Sequence, residues 1–368
     1  MLYLRTHQHH QLNKPSIYWL LFLLCASLAA CSKTESPAPA AKANVKKKST
    51  ELPELLHRSR KVMGSQITLT VLKDEVPKLD LLVEEVFREF TRLESLLSVW
   101  KRGSDVVAIN KAAGLQAVKV SEETINILRE AEKISRRTHG KFDVSFGALS
   151  GLWRFDHDQD NKIPDPKIVK ERLSLIDYES ITIDDKARTV KLEKKGMRLH
   201  LGGIGKGYAV DRAVSILRNN GVKNFMMQAG GDLYVAGSRG PRAWRVGVRN
   251  PRGLPSDYFA ATEVTDATFS TSGDYERYFV KDGVRYHHII DPDTGEPARK
   301  CRSVTVMAPH AITADTLSTA VFLVGAEEGL KIIEETPGAA AIIVDHDNKV
   351  HISDRLKNKV KILHPPTN

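Results

Sequence analysis

Cysteine is scarce in this chain: three residues in 368, at positions 25, 31 and 301. Cys25 and Cys31 belong to an N-terminal apolar stretch and its end, which leaves Cys301 without a partner and excludes a disulfide framework. Long hydrophobic runs are missing too. The one extended apolar stretch, from about residue 17 to 30, is too short and too abruptly ended for a spanning helix. There is no internal repeat, no Walker A or GxGxxG fingerprint, and no Arg/aromatic stripe or DNA-reading motif, so nucleic acid is not an expected partner. Stability must come from an apolar core, and roughly 310 residues after the N-terminal region suffice for a large one with two lobes.

The N-terminal region reads as an export signal. Arg5 and Lys14 precede the apolar run, which closes on Leu28-Ala29-Ala30-Cys31. That ending resembles a bacterial lipobox, so residues 1–30 are expected to be a lipoprotein signal and Cys31 the lipidated first mature residue. Residues 31–51 are rich in Ala, Pro and Lys without apolar periodicity, the composition of a disordered tether. The net charge is +10, and Lys42, Lys46, Lys47 and Lys48 would lie close to anionic headgroups. Residues 52–368 form the expected catalytic domain.

Within it, residues 77–98 carry Leu79, Leu82, Val83, Val86, Phe87, Phe90, Leu93 and Leu97 at helical spacing. A second helix is expected from Ser121 as N-cap to Gly140, and a third from 207 to 220 with Gly221 at its C-terminal cap. A hairpin is expected at 181–184 and 189–193. Short strands follow at 225–228, 232–236, 244–249, 275–280 and 284–290, with Asp282-Gly283 turning the last pair. A strand at 303–308, a helix at 314–323 and a strand pair at 340–344 and 350–352 complete the order. Strands in runs broken by helices predict an α+β fold rather than a doubly wound sheet.

The densest chemistry lies at Tyr286-His287-His288-Ile289-Ile290-Asp291-Pro292-Asp293-Thr294-Gly295. Pro fixes φ, the aspartates bond locally and Gly permits positive φ, so a tight turn would hold His288 at a strand end, where an imidazole can act as acid or base. A polar hairpin loop with solvated histidines has the same composition. Gly202-Gly203-Ile204-Gly205-Lys206-Gly207-Tyr208 leads into a helix and could cradle an anion, with Lys206 as a mobile cation, or be a tight turn alone. Asp315 and Thr319 are four apart on one helical face, a hard-cation pattern. The alternative there is capping, with Thr313 as N-cap and Asp315 favoured by the helix dipole. Gly230-Gly231-Asp232 and Thr271-Ser272-Gly273-Asp274-Tyr275 are two further small-residue turns.

These motifs, with Met63-Gly64-Ser65 and Lys141-Phe142-Asp143-Val144 ahead of them, occur in the order seen in one family. The chain resembles the ApbE-type FAD:protein FMN transferases, which are bacterial envelope lipoproteins, from about Arg60 to its end. The resemblance implies an enzyme that uses Mg²⁺ to transfer FMN from FAD, its substrate, to a threonine of an acceptor flavoprotein, such as a subunit of a membrane redox pump, releasing AMP. Met63, Trp100, Lys141, Phe142, Asp143, His200, Lys206 and Ile289 would line the FAD site. Mg²⁺ would take Gly203, Asp315 and Thr319, and His288 would be the catalytic base. His200 stands where the family usually has Asp. A Mg²⁺-dependent FAD pyrophosphatase and a non-catalytic FAD-binding lipoprotein are the alternatives. The implied location is the periplasmic side of the cell membrane, through the lipid on Cys31.

Replacing Cys31 tests the anchor. Cell fractionation of Cys31→Ala should find a soluble or unprocessed protein; a processed, membrane-bound variant would remove the lipoprotein reading.

Overall fold

The computed structural model describes residues 52–155 and 158–368; the expected signal, tether and lipidation position Cys31 lie outside the described residues. Its centre is an eight-stranded antiparallel sheet. Across the sheet the strands are Leu55–Val62, Ser65–Leu72, Phe225–Ala229, Asp232–Ala236, Ala267–Gly273, Cys301–Ala308, Ala340–Asp345 and Val350–Ile352. Three of the neighbouring pairs are joined by short turns, Leu55–Val62 with Ser65–Leu72, Phe225–Ala229 with Asp232–Ala236 and Ala340–Asp345 with Val350–Ile352. Met63 (φ 53°) and Gly64 (φ 65°) connect the first pair, the two consecutive positive φ values that let a two-residue loop match the strand twist.

Side chains alternate across the sheet, and both faces are covered. From the Ala340–Asp345 strand, Ala341 and Ile343 point into the main core with the helices, whereas Ala340, Ile342 and Val344 pack with Val248, Phe259 and Leu356. The helical layer contains Leu79–Leu97, Glu122–Arg137, Gly205–Asn219 and Ala311–Val324. The opposite face carries a three-stranded sheet of Trp244–Arg249, Tyr258–Val264 and Val360–Ile362. The architecture is α+β, as the order of elements predicts, and residues from Leu52 onward form one unit.

Helix boundaries follow local chemistry. Ser121 caps Glu122–Arg137 by accepting from the Thr124 N–H, and Gly221 (φ 82°) follows the end of Gly205–Asn219. The capping alternative at Thr313 fails. The Ala311–Val324 helix starts two residues before Thr313, so Thr313 is not its N-cap. Its first N–H groups are instead taken by the Asp211 carboxylate from the neighbouring helix, at 2.8 Å to Ala311 and 2.9 Å to Ile312. A remote carboxylate serves as the cap, which no local pattern reveals. The strand expected at 284–290 ends at His287, because the chain turns at Asp291 and only an Ile290–Pro297 bridge continues the pairing. The strands Leu55–Val62, Tyr258–Val264 and Ala267–Gly273 escaped the pattern, as did Ser65–Leu72. The first is a basic edge strand and the third is rich in hydroxyls, so neither shows clean apolar alternation.

The helices Gly205–Asn219 and Ala311–Val324 approach backbone to backbone at Gly207. A methyl group there would lie 2.4 Å from Ala311 O and 2.7 Å from Asp315 Cβ. Gly207→Ala should therefore destabilise the fold by about 1–3 kcal/mol in urea unfolding, although alanine is the better helix former. Unchanged or greater stability would mean the helices are not held this closely.

Candidate functional site

The close approach at Gly207 sets the site. Gly207 N–H donates to Asp315 Oδ2 at 2.9 Å, so the start of one helix binds the carboxylate of the other. A methyl on Gly203 would sit 3.4 Å from both Thr319 Oγ1 and the Phe142 ring, which brings the glycine turn, Thr319 and Phe142 into one place. Lys206 bends back so that Nζ donates to Gly202 O at 3.2 Å. The same Nζ lies 3.3 Å from Asp232 Oδ2 and 3.8 Å from Asp315 Oδ2.

Both carboxylates are buried, Asp232 being 1% and Asp315 3% exposed. Burial, then the charge of Asp232, pushes the Asp315 carboxyl well above its ordinary range, with Lys206 pulling the other way. Burial opposes the Lys206 ammonium, but Asp232 and Asp315 outweigh it and hold its pKa above the usual value. Asp232 Oδ1 accepts from Ser270 Oγ at 2.5 Å, while Oδ2 is buried with no hydrogen-bond partner. Hydroxyls continue from there: Ser270 to Ser318 at 3.2 Å, Ser318 to Ser272 at 2.9 Å and Ser272 to Thr319 at 3.2 Å.

Among the described residues no group of three or more His, Cys, Asp or Glu is placed to hold a metal. The set expected from the sequence is of another kind: the Asp315 carboxylate and the Thr319 hydroxyl, with Gly203 next to Thr319, could offer oxygen ligands to a hard cation. The capping account of Asp315 does not hold, since its carboxylate bonds across to Gly207 rather than to its own helix start.

His288 directly follows the Val284–His287 strand, and its backbone N–H donates to Arg277 O. Nδ1 of its ring has no hydrogen-bond partner. Burial, reinforced by the charges of Arg277, His287 and Lys206, holds the imidazole well below its ordinary pKa. It is neutral at pH 7 and able to accept a proton. The turn that presents it is pinned from a distance. Lys141 Nζ reaches Asp291 at 2.7 and 2.9 Å and Asp293 at 2.6 Å, and Gly295 (φ 70°) closes the turn by donating to Asp291 O.

The other expected residues divide by environment. Met63 is in the left-handed region, its N–H donates to Glu94 Oε1 at 2.8 Å, and its Cε reaches the Gly205 end of the glycine turn. Trp100 is 64% exposed, a large apolar surface available to a flat ligand rather than core. Phe142 is buried behind Gly203. Asp143 shapes the loop: Oδ1 accepts from Ser145 N–H and Oγ, and Oδ2 from Tyr178 N–H. Ile289 is buried, its carbonyl accepting from Ala298 and its N–H donating to His287 Nδ1. His200 Nδ1 accepts from Gly202 N–H at 3.1 Å. A carboxylate two residues before that N–H would make the same kind of bond, so imidazole in place of the usual Asp keeps the turn closed. Asp232 was legible only as part of a small-residue turn; its following a Gly-Gly pair was the available signal.

A glycine turn at a helix start, two buried carboxylates sharing Lys206 and a neutral imidazole are thus carried by one α+β scaffold. The ApbE family model matches residues 63–343. The chain is 34% identical over 296 residues to the FAD:protein FMN transferase of Treponema pallidum, covering 76% of this chain and 82% of that one. To the Escherichia coli K12 protein of the same name it is 28% identical over 84% of this chain and 88% of that one. Among solved structures, the ApbE protein of Thermotoga maritima aligns with a TM-score of 0.76 at 34% identity, and the flavin transferase ApbE of Vibrio cholerae with 0.74 at 27%. Each alignment covers 83% of this chain and 99% of the other. The chain belongs to the ApbE family.

His287, beside the proposed base, is a core residue: Nε2 donates to Ala298 O at 2.7 Å, and burial lowers its pKa to about 4. A histidine protonated more readily unfolded than folded stabilises the fold fully above pH 6.5. That stabilisation is lost as pH falls towards 4, because the unfolded chain binds the proton first. NMR titration should show His287 unprotonated down to pH 5.5, with a midpoint near 4; a midpoint above 6 would place it outside the core.

Proposed function

We propose that this chain transfers the FMN moiety of FAD to a threonine of an acceptor flavoprotein with Mg²⁺ as cofactor, releasing AMP. Family membership carries the coarser statement, an FAD:protein FMN transferase. The observation that supports the finer one is the meeting of Asp315, Thr319, Gly203 and Lys206 at a helix start, close enough to His288 for the Lys206 charge to act on its imidazole.

Phosphoryl transfer is mostly positioning and charge neutralisation. Gly203 O, Asp315 and Thr319 would hold Mg²⁺, which when bound neutralises pyrophosphate charge and polarises the phosphorus–oxygen bond. Lys206, at the helix start, binds the pyrophosphate. Trp100, Met63 and Ile289 offer apolar surface to the ring systems of FAD, and Lys141 keeps the Asp291 turn closed. His288 takes the proton from the threonine hydroxyl as its Oγ forms a bond to the FMN phosphorus. The bridging phosphorus–oxygen bond breaks and AMP departs with the electron pair. The lipid on Cys31 would keep the enzyme on the periplasmic side of the membrane, beside envelope acceptors.

His288→Ala should still bind FAD and slow transfer by about 10²–10⁴-fold, whereas Asp315→Ala should abolish Mg²⁺-dependent turnover while remaining folded. Because His288 is neutral well below pH 6.5, the intact enzyme's rate should stay level from there upward and fall only on the acid side. Mass spectrometry of the acceptor should show one FMN added on threonine with AMP released in equal amount. AMP without a labelled acceptor would make the enzyme a pyrophosphatase; no AMP would leave FAD binding alone.

A further inference from the structure

Asp232 is the one buried carboxylate beside the glycine turn that the proposed transfer does not use. Its Oδ1 is fixed by Ser270, and its Oδ2 is buried, lacks a hydrogen bond and is aimed at Lys206. An ionised oxygen kept in this state is costly unless a charge answers it. Here the answer is shared: the Lys206 ammonium stands between Asp232 at 3.3 Å and Asp315 at 3.8 Å. Its stem runs along the turn of the Phe225–Ala229/Asp232–Ala236 hairpin, with Cε 4.0 Å from where a Gly230 methyl would be.

We propose that Lys206 is a built-in place-holder for the cation at Asp315, and that Asp232 is the positioning residue that draws Lys206 aside when Mg²⁺ enters. The inference rests on Asp315 being a Mg²⁺ ligand. With both carboxylates ionised, Asp232 and Asp315 outnumber the Lys206 ammonium by one charge, with Arg277 acting on Lys206 from outside this trio, so a dication on Asp315 competes with the proton that burial favours there and with the ammonium. Once Mg²⁺ is on Asp315, like-charge repulsion pushes the ammonium away, and Asp232 is the nearer counter-charge to receive it. The cluster then carries a surplus positive charge, which suits the anionic pyrophosphate of FAD. Without Asp232 the ammonium would remain on Asp315 and compete with the metal. The order is cation first, then dinucleotide.

The test is isothermal titration of the full chain with Mg²⁺ alone, without FAD. Lys206→Met should bind Mg²⁺ about tenfold or more tighter, since the competitor is gone. Asp232→Asn, which keeps the Ser270 hydrogen bond, should bind it about tenfold or more weaker. On the Lys206→Met background the same Asp232→Asn change should have a clearly smaller effect, because it acts through the lysine. Equal effects in both backgrounds would reduce Asp232 to a simple through-space charge and overturn the proposal. So would a Lys206→Met variant with unchanged or weaker Mg²⁺ affinity, an arm that stands even if Asp232→Asn fails to fold. Asp315→Ala separates this from the metal assignment: Mg²⁺ binding that survives that change sinks the assignment, whereas its loss beside an indifferent Lys206→Met sinks only the place-holder.

Discussion

Two buried carboxylates share one ammonium beneath the glycine turn, and the surrounding structure is arranged to make that tolerable. Asp315 can be buried because Gly207 N–H donates to it, and Gly207 can do so because it has no side chain to hold the helices apart. Asp232 can be buried because Ser270 satisfies one oxygen and Lys206 lies near the other. The hydroxyls of Ser270, Ser318, Ser272 and Thr319 satisfy one another along the same seam between helix and sheet. Such a network in a low-dielectric setting strengthens every interaction within it and penalises any unpaired member. That is why small and polar residues crowd a region where helix and sheet would otherwise pack with apolar ones.

The rigid sheet and the charged loop divide the work. The strands Asp232–Ala236 and Ala267–Gly273 are neighbours in the central sheet, so Asp232 and Ser270 are placed by main-chain pairing rather than by loop conformation. The His288 turn has no such support from the sheet. It hangs from a two-stranded hairpin, Tyr278–Lys281 and Val284–His287, backed by a satellite core of Leu149, Trp153, Val169, Phe279 and Ile290. Lys141 ties that turn to the start of the loop after the Glu122–Arg137 helix. Burial opposes the charge of Lys141, but Asp291 and Asp293 outweigh it, so the tie holds across the neutral range. An ion pair a fifth exposed on one side is modest in strength, but it fixes the geometry of the turn that follows His288.

The neighbouring histidines show how environment separates chemistry from packing. His287 is satisfied at both ring nitrogens and stands edge-on to Phe322. His288, one residue on, keeps Nδ1 without a partner. Both are neutral at pH 7, but only the second has a ring nitrogen without a hydrogen-bond partner. Cys301 belongs with His287: it is buried, and burial raises its thiol pKa to about 12, so it is inert.

What the sequence determined by itself is local. The amphipathic spacing of Leu79 to Leu97, the Ser121 cap, the Asp282-Gly283 turn and the common face of Asp315 and Thr319 all depend on residues a few positions apart, and each stands in the structure. The ordered motifs also carried the family, since they preserve the residues about the site. Tertiary structure decided the rest, because those interactions span distances in the chain that no periodicity encodes. Lys141 meets Asp291 across 150 positions, Gly207 meets Asp315 across 108, and Asp211 caps a helix 100 positions away. Asp232 looked like one more turn residue until the sheet set it beside Lys206. Burial then gave it meaning: a carboxylate in water needs no partner, whereas one enclosed by protein must be answered by a charge.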